Sequence, residues 1–347
     1  MTLFRVDSNF NTIIIFMKIG FVLSNAMIGG YQTTTVRLAN RIGKDYEVCI
    51  AIVDAKNADK NLLDEIDKDI PRVLYDELVE KNDIIHITRD LSEEYRKKLK
   101  KKWNRTILLI GSYPHKKMNW FVQFRFRHSQ NFPPNVVTTS KFVGDLLGIN
   151  STVIRGPVDI DVFRVLDEPK IFDIAILGRM RPVKNHKLFA EICRKGGYSF
   201  VAIGGTHRWM DGHVNDIEKM LRAQARVGID CVTGFVPLEE VIKRLNQAKI
   251  ALIVSDYEAG GGIEQMACGM PVVARRVGGV PEFIYPYDDL LVPYDAPAEA
   301  YIEKINKYIN DLELRKRVRE HVVNNFSIDI VAKKYEELYM KILKDSS

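Results

Sequence analysis

Three features that often set a protein's class directly are missing from this sequence. Its 347 residues include only four cysteines and no Cys-x-x-Cys pair, which argues against a zinc site or a disulfide framework and favours reduced thiols. No apolar run reaches the roughly 18 residues of a membrane-spanning helix. The first residues lack the basic segment and the small-residue cleavage site of a secretory signal. We therefore predict a cytoplasmic protein without a membrane span.

Strong charge is also missing. A formal net charge of +6 is modest for a chain of this length, and no nucleic-acid-binding motif appears, so we expect no nucleic acid partner. The hydrophobic content of 46% is sufficient for ordinary globular cores. A chain of 347 residues usually forms two domains.

Apolar runs of strand length alternate with helical patterns along the whole chain, which is typical of α/β domains built on parallel sheets. We predict five strands in each half of the chain, at 18–23, 48–53, 84–87, 106–110 and 136–139, and at 173–178, 199–203, 229–233, 250–254 and 271–274. Between the halves, prolines, glycines and aspartates interrupt both periodicities near residues 156–169. The pattern predicts two doubly wound units in series.

The most informative segment lies between the last two predicted strands. A glycine cluster at 260–262 leads into a predicted helix over 262–268, which Gly269 and Pro271 end. Helix starts expose unpaired backbone N–H groups, and glycines remove side chains that would block a phosphate, so a diphosphate fits at Gly262 and Ile263.

Two carboxylates flank these glycines. Glu264 could accept hydrogen bonds from ribose hydroxyls, and Glu258 would face the group attached to the distal phosphate. The alternative is a glycine-rich loop without an active site, whose acidic side chains are solvated.

The segment Glu264-Gln-Met-Ala-Cys-Gly-Met-Pro-Val-Val-Ala274, with Glu258 and the glycines before it, is similar to the donor-binding signature of family 4 glycosyltransferases. Ile176-Leu-Gly-Arg-Met-Arg-Pro-Val-Lys-Asn185 resembles the Gly-Arg and Lys signature of the same family, with Arg179 and Lys184 as the matching cations. Independently of the resemblance, a guanidinium and an ammonium suit the charge of a departing diphosphate.

The spacing of the two glutamates departs from the family pattern. Glu258 and Glu264 are six positions apart, two fewer than in the resembled enzymes. Asp256, eight positions before Glu264, is the alternative for the first carboxylate. We favour Glu258 because Tyr-Glu-Ala-Gly keeps the expected order of residue types, and we expect a reshaped sugar site.

Further donor contacts follow from the resemblance. Gly30 matches the family's glycine-rich loop near the donor phosphates, although a tight turn between a strand and a helix explains it equally well. Gly205 is placed near the nucleotide. Val236 lies in Thr233-Gly-Phe-Val-Pro-Leu-Glu-Glu240, which resembles the segment whose backbone contacts the base.

The acceptor side is less defined. His115 follows a predicted strand end, where the resembled family often has a histidine near the donor sugar, and we select it as a catalytic candidate. His86 lies inside a predicted strand and is better explained as a structural histidine.

Residues 91–128 are rich in cations and aromatics. Leu91, Tyr95, Leu99 and Trp103 recur every four residues among lysines and arginines, which predicts a basic amphipathic helix. Together with the mixed basic and aromatic residues that follow, it could contact an anionic membrane surface or a phosphorylated lipid acceptor. The alternative is a stripe that packs on the core and leaves a solvated outer face.

The resemblance implies a GT-B fold, with two Rossmann-like domains facing a central cleft. We predict an N-terminal extension at 1–16, an acceptor domain at 17–157, a donor domain at 158–325, and a C-terminal helix at 326–347 that crosses back to the N-terminal domain. The implied function is retaining transfer of a sugar from a UDP- or GDP-sugar to a glycan or lipid-linked acceptor, without metal or cofactor. The alternatives are a sugar-nucleotide epimerase or hydrolase, and a noncatalytic sugar-nucleotide sensor.

Overall fold

The computed structural model describes residues 4–6, 13–15, 17–27, 29–56, 58–88, 91–111, 132–205, 215–256 and 261–346. These residues divide into two compact units. Unit 1 contains the described residues up to 157 together with 328–346, and unit 2 contains those of 158–327.

Unit 1 is built on a parallel sheet of six strands in the order β4-β3-β5-β6-β7-β8. Its strands are β3 (Lys18–Asn25), β4 (Glu47–Asp54), β5 (Ile84–Thr88), β6 (Thr106–Ile110), β7 (Asn135–Thr138) and β8 (Thr152–Val153). A separate antiparallel pair precedes it, formed by β1 (Phe4–Val6) and β2 (Ile13–Ile15).

The helices of unit 1 include one that is remote in sequence. They are α1 (Gly30–Ile42), α2 (Lys60–Asp64), α3 (Tyr75–Lys81), α4 (Glu93–Lys98), α5 (Lys141–Leu147) and α13 (Ile328–Asp345). Helix α13 buries Val331, Tyr335, Tyr339 and Ile342 in the unit 1 core. The Tyr339 hydroxyl lies 2.7 Å from Nε2 of His86 on β5, so His86 has the structural role that its strand position favoured.

Unit 2 has a second parallel sheet of six strands, in the order β11-β10-β9-β12-β13-β14. Its strands are β9 (Phe172–Leu177), β10 (Phe200–Ile203), β11 (Cys231–Val232), β12 (Ala248–Ile253), β13 (Val272–Arg275) and β14 (Leu291–Val292). Its helices are α6 (His186–Gly196), α7 (Asn215–Gln224), α8 (Leu238–Asn246), α9 (Gly261–Ala267), α10 (Val280–Ile284), α11 (Ala298–Tyr308) and α12 (Leu312–Phe326).

The predicted α/β class with two doubly wound sheets is confirmed. Parallel strands covered on both faces are largely apolar, and all of β6 and β13 is buried, including Thr106 and Arg275. Strands β8 and β14 were not predicted, because two residues are too short to give a periodic pattern.

The basic segment of unit 1 differs from the predicted single helix. The α-helix covers only Glu93–Lys98, and a 3₁₀ helix follows at Leu99–Arg105 with a non-helical Lys102. Leu91 and Leu99 are buried. In the described part of this segment the apolar stripe therefore packs inward. Among the described residues, no helix has the length and apolar character needed to cross a membrane.

Candidate active site

The strand order of unit 2 reverses beside β9. The chain runs from β9 to β10 and β11 on one side, and then returns to place β12 on the other side of β9. In open α/β sheets such a reversal leaves a crevice at the carboxyl ends of the two strands, where ligands bind. The segments that follow β9 and β12 are 178–185 and 254–264, which contain most of the donor residues predicted from the sequence.

Backbone hydrogen bonds hold these segments together. The Asp256 N–H after β12 donates to the Val183 carbonyl at 2.8 Å. On the other side, the Met180 N–H donates to the Gly205 carbonyl after β10 at 3.1 Å. The loop after β9 is thus attached to both neighbouring strand ends.

Lys184 is the central cation of this loop. It ends a 3₁₀ turn, Pro182–Lys184, and its side chain packs along Gly178, where a Cβ would lie 3.4 Å from the Lys184 Cε. Burial and the neighbouring Arg179 and Arg181 lower the Lys184 pKa to about 8, and the Glu264 carboxylate opposes this shift. Keeping positive charge on this cluster therefore costs free energy, and a bound anion would reduce that cost.

Arg181 was not selected from the sequence. Its electrostatic effect on Lys184 places it with Arg179 in one cationic group. The sequence did contain an indication of this group, because three cations lie within the six residues that follow the glycine at the strand end.

Close backbone contact makes the base of the crevice compact. Gly204, after β10, has a φ of +127°, and a Cβ there would lie 2.3 Å from the Gly178 carbonyl oxygen. Gly178 itself has a φ of +142°. Both positions therefore need glycine, because other residues rarely adopt these conformations and a side chain at 204 would meet backbone.

Helix α9 begins one residue before the predicted start. A Cβ on Gly262 would lie 2.6 Å from the Ile253 side chain, and Ile263 is buried in the core. These two residues can therefore reach a ligand only through backbone N–H groups of the first turn.

His186, the first residue of α6, lies next to this cation cluster. Burial and the charge of Lys184 lower its pKa to about 4, so the imidazole is neutral at physiological pH. Its Nδ1 is buried without a hydrogen-bond partner in the part of the chain that the structure describes.

An ion pair lies at the end of β13. Arg275 donates from Nη1 to Asp256 Oδ1 at 2.5 Å, and its guanidinium lies 4.6 Å from the Tyr294 ring centroid. The Tyr294 hydroxyl is 3.4 Å from the same carboxylate oxygen. Asp256, the alternative first carboxylate, is thus engaged by two neighbours.

The predicted nucleotide end lies at β10 and β11. Gly205 packs against Phe235, where a Cβ would lie 2.7 Å from the Phe235 ring, and Val236 is the next residue along the chain. Half of the Phe235 surface remains exposed. This places Gly205 and Val236 near each other.

The remaining selected residues are elsewhere. Glu258 and His115 lie outside the described residues. Gly30 is the first residue of α1 in unit 1, and no atom lies within 4 Å of a Cβ built there. All four cysteines are free. Within the described ranges, no group of three or more His, Cys, Asp or Glu side chains is placed to hold a metal ion.

Residues 161–323 match the family model described as glycosyl transferases group 1. The chain carries a group 1 glycosyltransferase domain. The motifs that indicated family 4 glycosyltransferases are thereby confirmed as a family resemblance, and the domain spans the whole crevice described above.

Two curated relatives match part of the chain. The chain is 34% identical over 132 residues to alpha-maltose-1-phosphate synthase of Mycolicibacterium smegmatis, covering 35% of this chain and 34% of that protein. It is 36% identical over 207 residues to an uncharacterised glycosyltransferase of Methanocaldococcus jannaschii, covering 57% of this chain and 56% of that protein. The chain therefore spans between about a third and just over half of these relatives.

Solved structures match over nearly the full length. A glycosyltransferase from Rickettsia africae has a TM-score of 0.72 at 20% identity and covers 95% of this chain and 99% of its own. Anabaena HepE, solved with UDP and glucose, has a TM-score of 0.73 at 14% identity and covers 94% of this chain and 100% of its own. These likenesses establish a fold shared with glycosyltransferases.

Proposed function

We propose that this protein is a retaining glycosyltransferase that moves a sugar from a nucleoside-diphosphate sugar to an acceptor. The observation that carries the proposal is the cation group Arg179, Arg181 and Lys184 at the strand reversal of unit 2, inside a group 1 glycosyltransferase domain. Among the fold neighbours, HepE in complex with UDP and glucose agrees with a nucleotide-sugar donor.

Stabilisation of the leaving group would supply most of the catalysis. Negative charge grows on the diphosphate as its bond to the sugar breaks, and cations fixed before the reaction stabilise that charge without reorganising. Lys184 suits this role, because burial and the neighbouring Arg179 and Arg181 lower its pKa, and the negative charge of a departing diphosphate would act in the opposite direction. The first-turn N–H groups of α9 would add donors to the same phosphates.

Retention requires attack from the face that the diphosphate leaves. The departing phosphate oxygen is then close enough to accept the acceptor's proton, so no separate general base is needed in that arrangement. Glu258 and His115 stay as predictions for residues that contact the donor sugar.

Metal independence is part of the proposal. We expect the chain's own cations to neutralise the diphosphate in place of a metal ion, and a chelator experiment tests whether they suffice. UDP and GDP are both retained as candidate donors, since contacts through backbone at 236 would not identify the base.

For the acceptor we propose a glycan or a lipid-linked saccharide bound by unit 1. Exposed lysines at 97, 100 and 101 form the outer face of the basic segment and are suited to an anionic membrane surface. A cytoplasmic protein that attaches peripherally to membranes is consistent with these features.

The test is release of free nucleoside diphosphate from UDP-, GDP- and ADP-sugars, with a chelator present and with membrane lipid extract added or withheld. We expect release from one donor that persists under chelation and increases with an acceptor. NMR of the product's anomeric proton then determines whether the donor configuration is retained.

Other outcomes separate the alternatives. Release that is unaffected by any acceptor, with free sugar as the product, would indicate a hydrolase. Nucleotide binding without turnover of any donor would indicate a sensor. Activity abolished by the chelator and restored by a divalent cation would contradict metal independence.

A further inference from the structure

We infer that Arg275 is a positioning residue for the diphosphate site, acting through Asp256 on the loop that carries Lys184. This inference rests on the proposed function, because it assigns a role relative to the donor diphosphate. The connection runs through three described contacts, each within unit 2.

The first contact is the ion pair. Arg275 is only 8% exposed and ends β13, while the Asp256 side chain is 46% exposed after β12. The Nη1 to Oδ1 distance is 2.5 Å, and a hydrogen bond from a guanidinium to a carboxylate is charge-assisted. The Tyr294 ring against the guanidinium fixes the direction from which Arg275 approaches.

The second contact is made by the backbone of Asp256. The Asp256 N–H donates to the Val183 carbonyl, which is adjacent to Lys184. The third closes the turn, since the Lys184 N–H donates to the Arg181 carbonyl at 2.9 Å. A displacement of Asp256 would therefore reach the turn that places two of the three cations.

Burial of Arg275 argues against a purely stabilising role. Its Nε is buried without a hydrogen-bond partner among the described residues, although the buried Tyr301 hydroxyl lies close enough to interact with the guanidinium. A buried charge that is incompletely paired stabilises a fold less well than an apolar side chain of similar volume. Holding Asp256 in place is a role that accounts for the buried charge of Arg275, whereas a contribution to stability does not.

The same geometry separates the two candidate carboxylates. Asp256 directs Oδ1 to Arg275 and Tyr294, so we assign it the task of holding the loop. Glu258 then keeps the predicted contact with the donor sugar.

Arg276 offers a matched control. It is the next residue, it is exposed, and it forms a long ion pair with Asp288, at 3.6 Å between half-exposed side chains. Arg276→Met removes the same charge as Arg275→Met without touching Asp256.

The experiment is calorimetric titration of UDP and GDP into the full chain and into Arg275→Met, Asp256→Asn, their double variant and Arg276→Met, with thermal unfolding of each. For the nucleotide that the unchanged protein binds, we expect about tenfold weaker binding in each single variant. The double variant should be no weaker than the weaker single variant, because both act through one connection. Arg276→Met should stay within about twofold.

A second pair of variants tests whether the effect of Arg275 reaches Lys184. In a Lys184→Met background, adding Arg275→Met should cost little additional affinity, whereas independent effects would multiply. If Arg275→Met does not fold, Asp256→Asn tests the same connection from a half-exposed position.

The outcomes are distinct. If the unchanged protein binds neither nucleotide, the proposed function fails. If it binds one and the Arg275 and Asp256 variants bind equally well, or lose only thermal stability, this inference is wrong while the proposed function stands. Multiplying losses in the double variant would also overturn it.

Discussion

The two units have closely related sheets, and the residues at the carboxyl ends of their strands are very different. In both sheets the first strand of the parallel sheet lies between the next strand of the chain and a later one, so β3 with β5 corresponds to β9 with β12. In unit 1 the described residues that directly follow β3 are uncharged, and the Gln32 amide donates to Asn25 Oδ1 at 3.2 Å. In unit 2 the same position holds Arg179, Arg181 and Lys184.

This difference shows that the topology of the sheet determines where a crevice forms, whereas the side chains determine which ligand it suits. Strand order creates a crevice at the same place in each sheet. The charge of the residues after the first strand then favours one kind of ligand, and for unit 2 we propose an anion.

The largest effect should come from removing the central charge of unit 2. We expect Lys184→Met to lower kcat/KM by about 100-fold to 1,000-fold, the range found when a donor to a developing negative charge is lost. The matched control is Lys187→Met, an exposed lysine one turn further on. Steady-state kinetics with the identified donor measures both, and equal losses in the two variants would contradict a specific role for Lys184.

The close contact below the crevice gives the next effect. Gly204→Ala should destabilise the protein by about 2 kcal/mol or more, because it combines an unfavourable φ with a steric overlap against the Gly178 carbonyl. Gly228→Ala is the control, since Gly228 has a φ of +74° with open space around a Cβ and should lose only about 1 kcal/mol. Chemical denaturation compares them, and similar losses would show that the overlap is relieved by a small shift.

A smaller effect is expected on the pH dependence of binding, through proton uptake by Lys184. The Lys184 pKa of about 8 in the free protein should rise when a diphosphate binds. Below about pH 8 the amine is already charged, whereas above it binding must take up a proton, so affinity should fall by up to about tenfold per pH unit.

Calorimetry near pH 9 in buffers of different ionisation enthalpy would detect this proton. Lys184→Met should abolish the uptake. Uptake that persists in that variant would assign the titration to another group.

The smallest effect concerns unit 1. Replacing the exposed Lys97, Lys100 and Lys101 by glutamine should weaken cosedimentation with anionic vesicles, since each cation near a surface contributes about 1 kcal/mol or less. Nucleotide affinity should be unchanged, because these residues belong to a different unit from the cations. Undiminished vesicle binding would favour the alternative of a solvated outer face.

The sequence predicted the parts of the molecule that local pattern determines. Apolar runs located the buried strands, and the Gly269 and Pro271 stop located α9 within one residue. The motifs identified Arg179, Lys184 and Glu264, which the structure brings together.

The sequence alone could not predict contacts between residues that are distant along the chain. Nothing in the sequence distinguishes the buried Arg275 from the exposed Arg276, because the pairing with Asp256 depends on the register of β12 and β13. The change from α to 3₁₀ helix at Leu99 likewise depends on local packing, since the apolar spacing fits a continuous helix.

The position of α13 has a consequence for synthesis. The core of unit 1 includes Val331, Tyr335 and Tyr339, so this unit begins first on the ribosome but cannot complete its packing until residues after unit 2 have emerged. The described residues of unit 2 all lie between 158 and 327, so their packing does not wait for a segment beyond 327. A nascent chain halted after residue 327 should therefore expose an apolar face on unit 1 and recruit chaperones there.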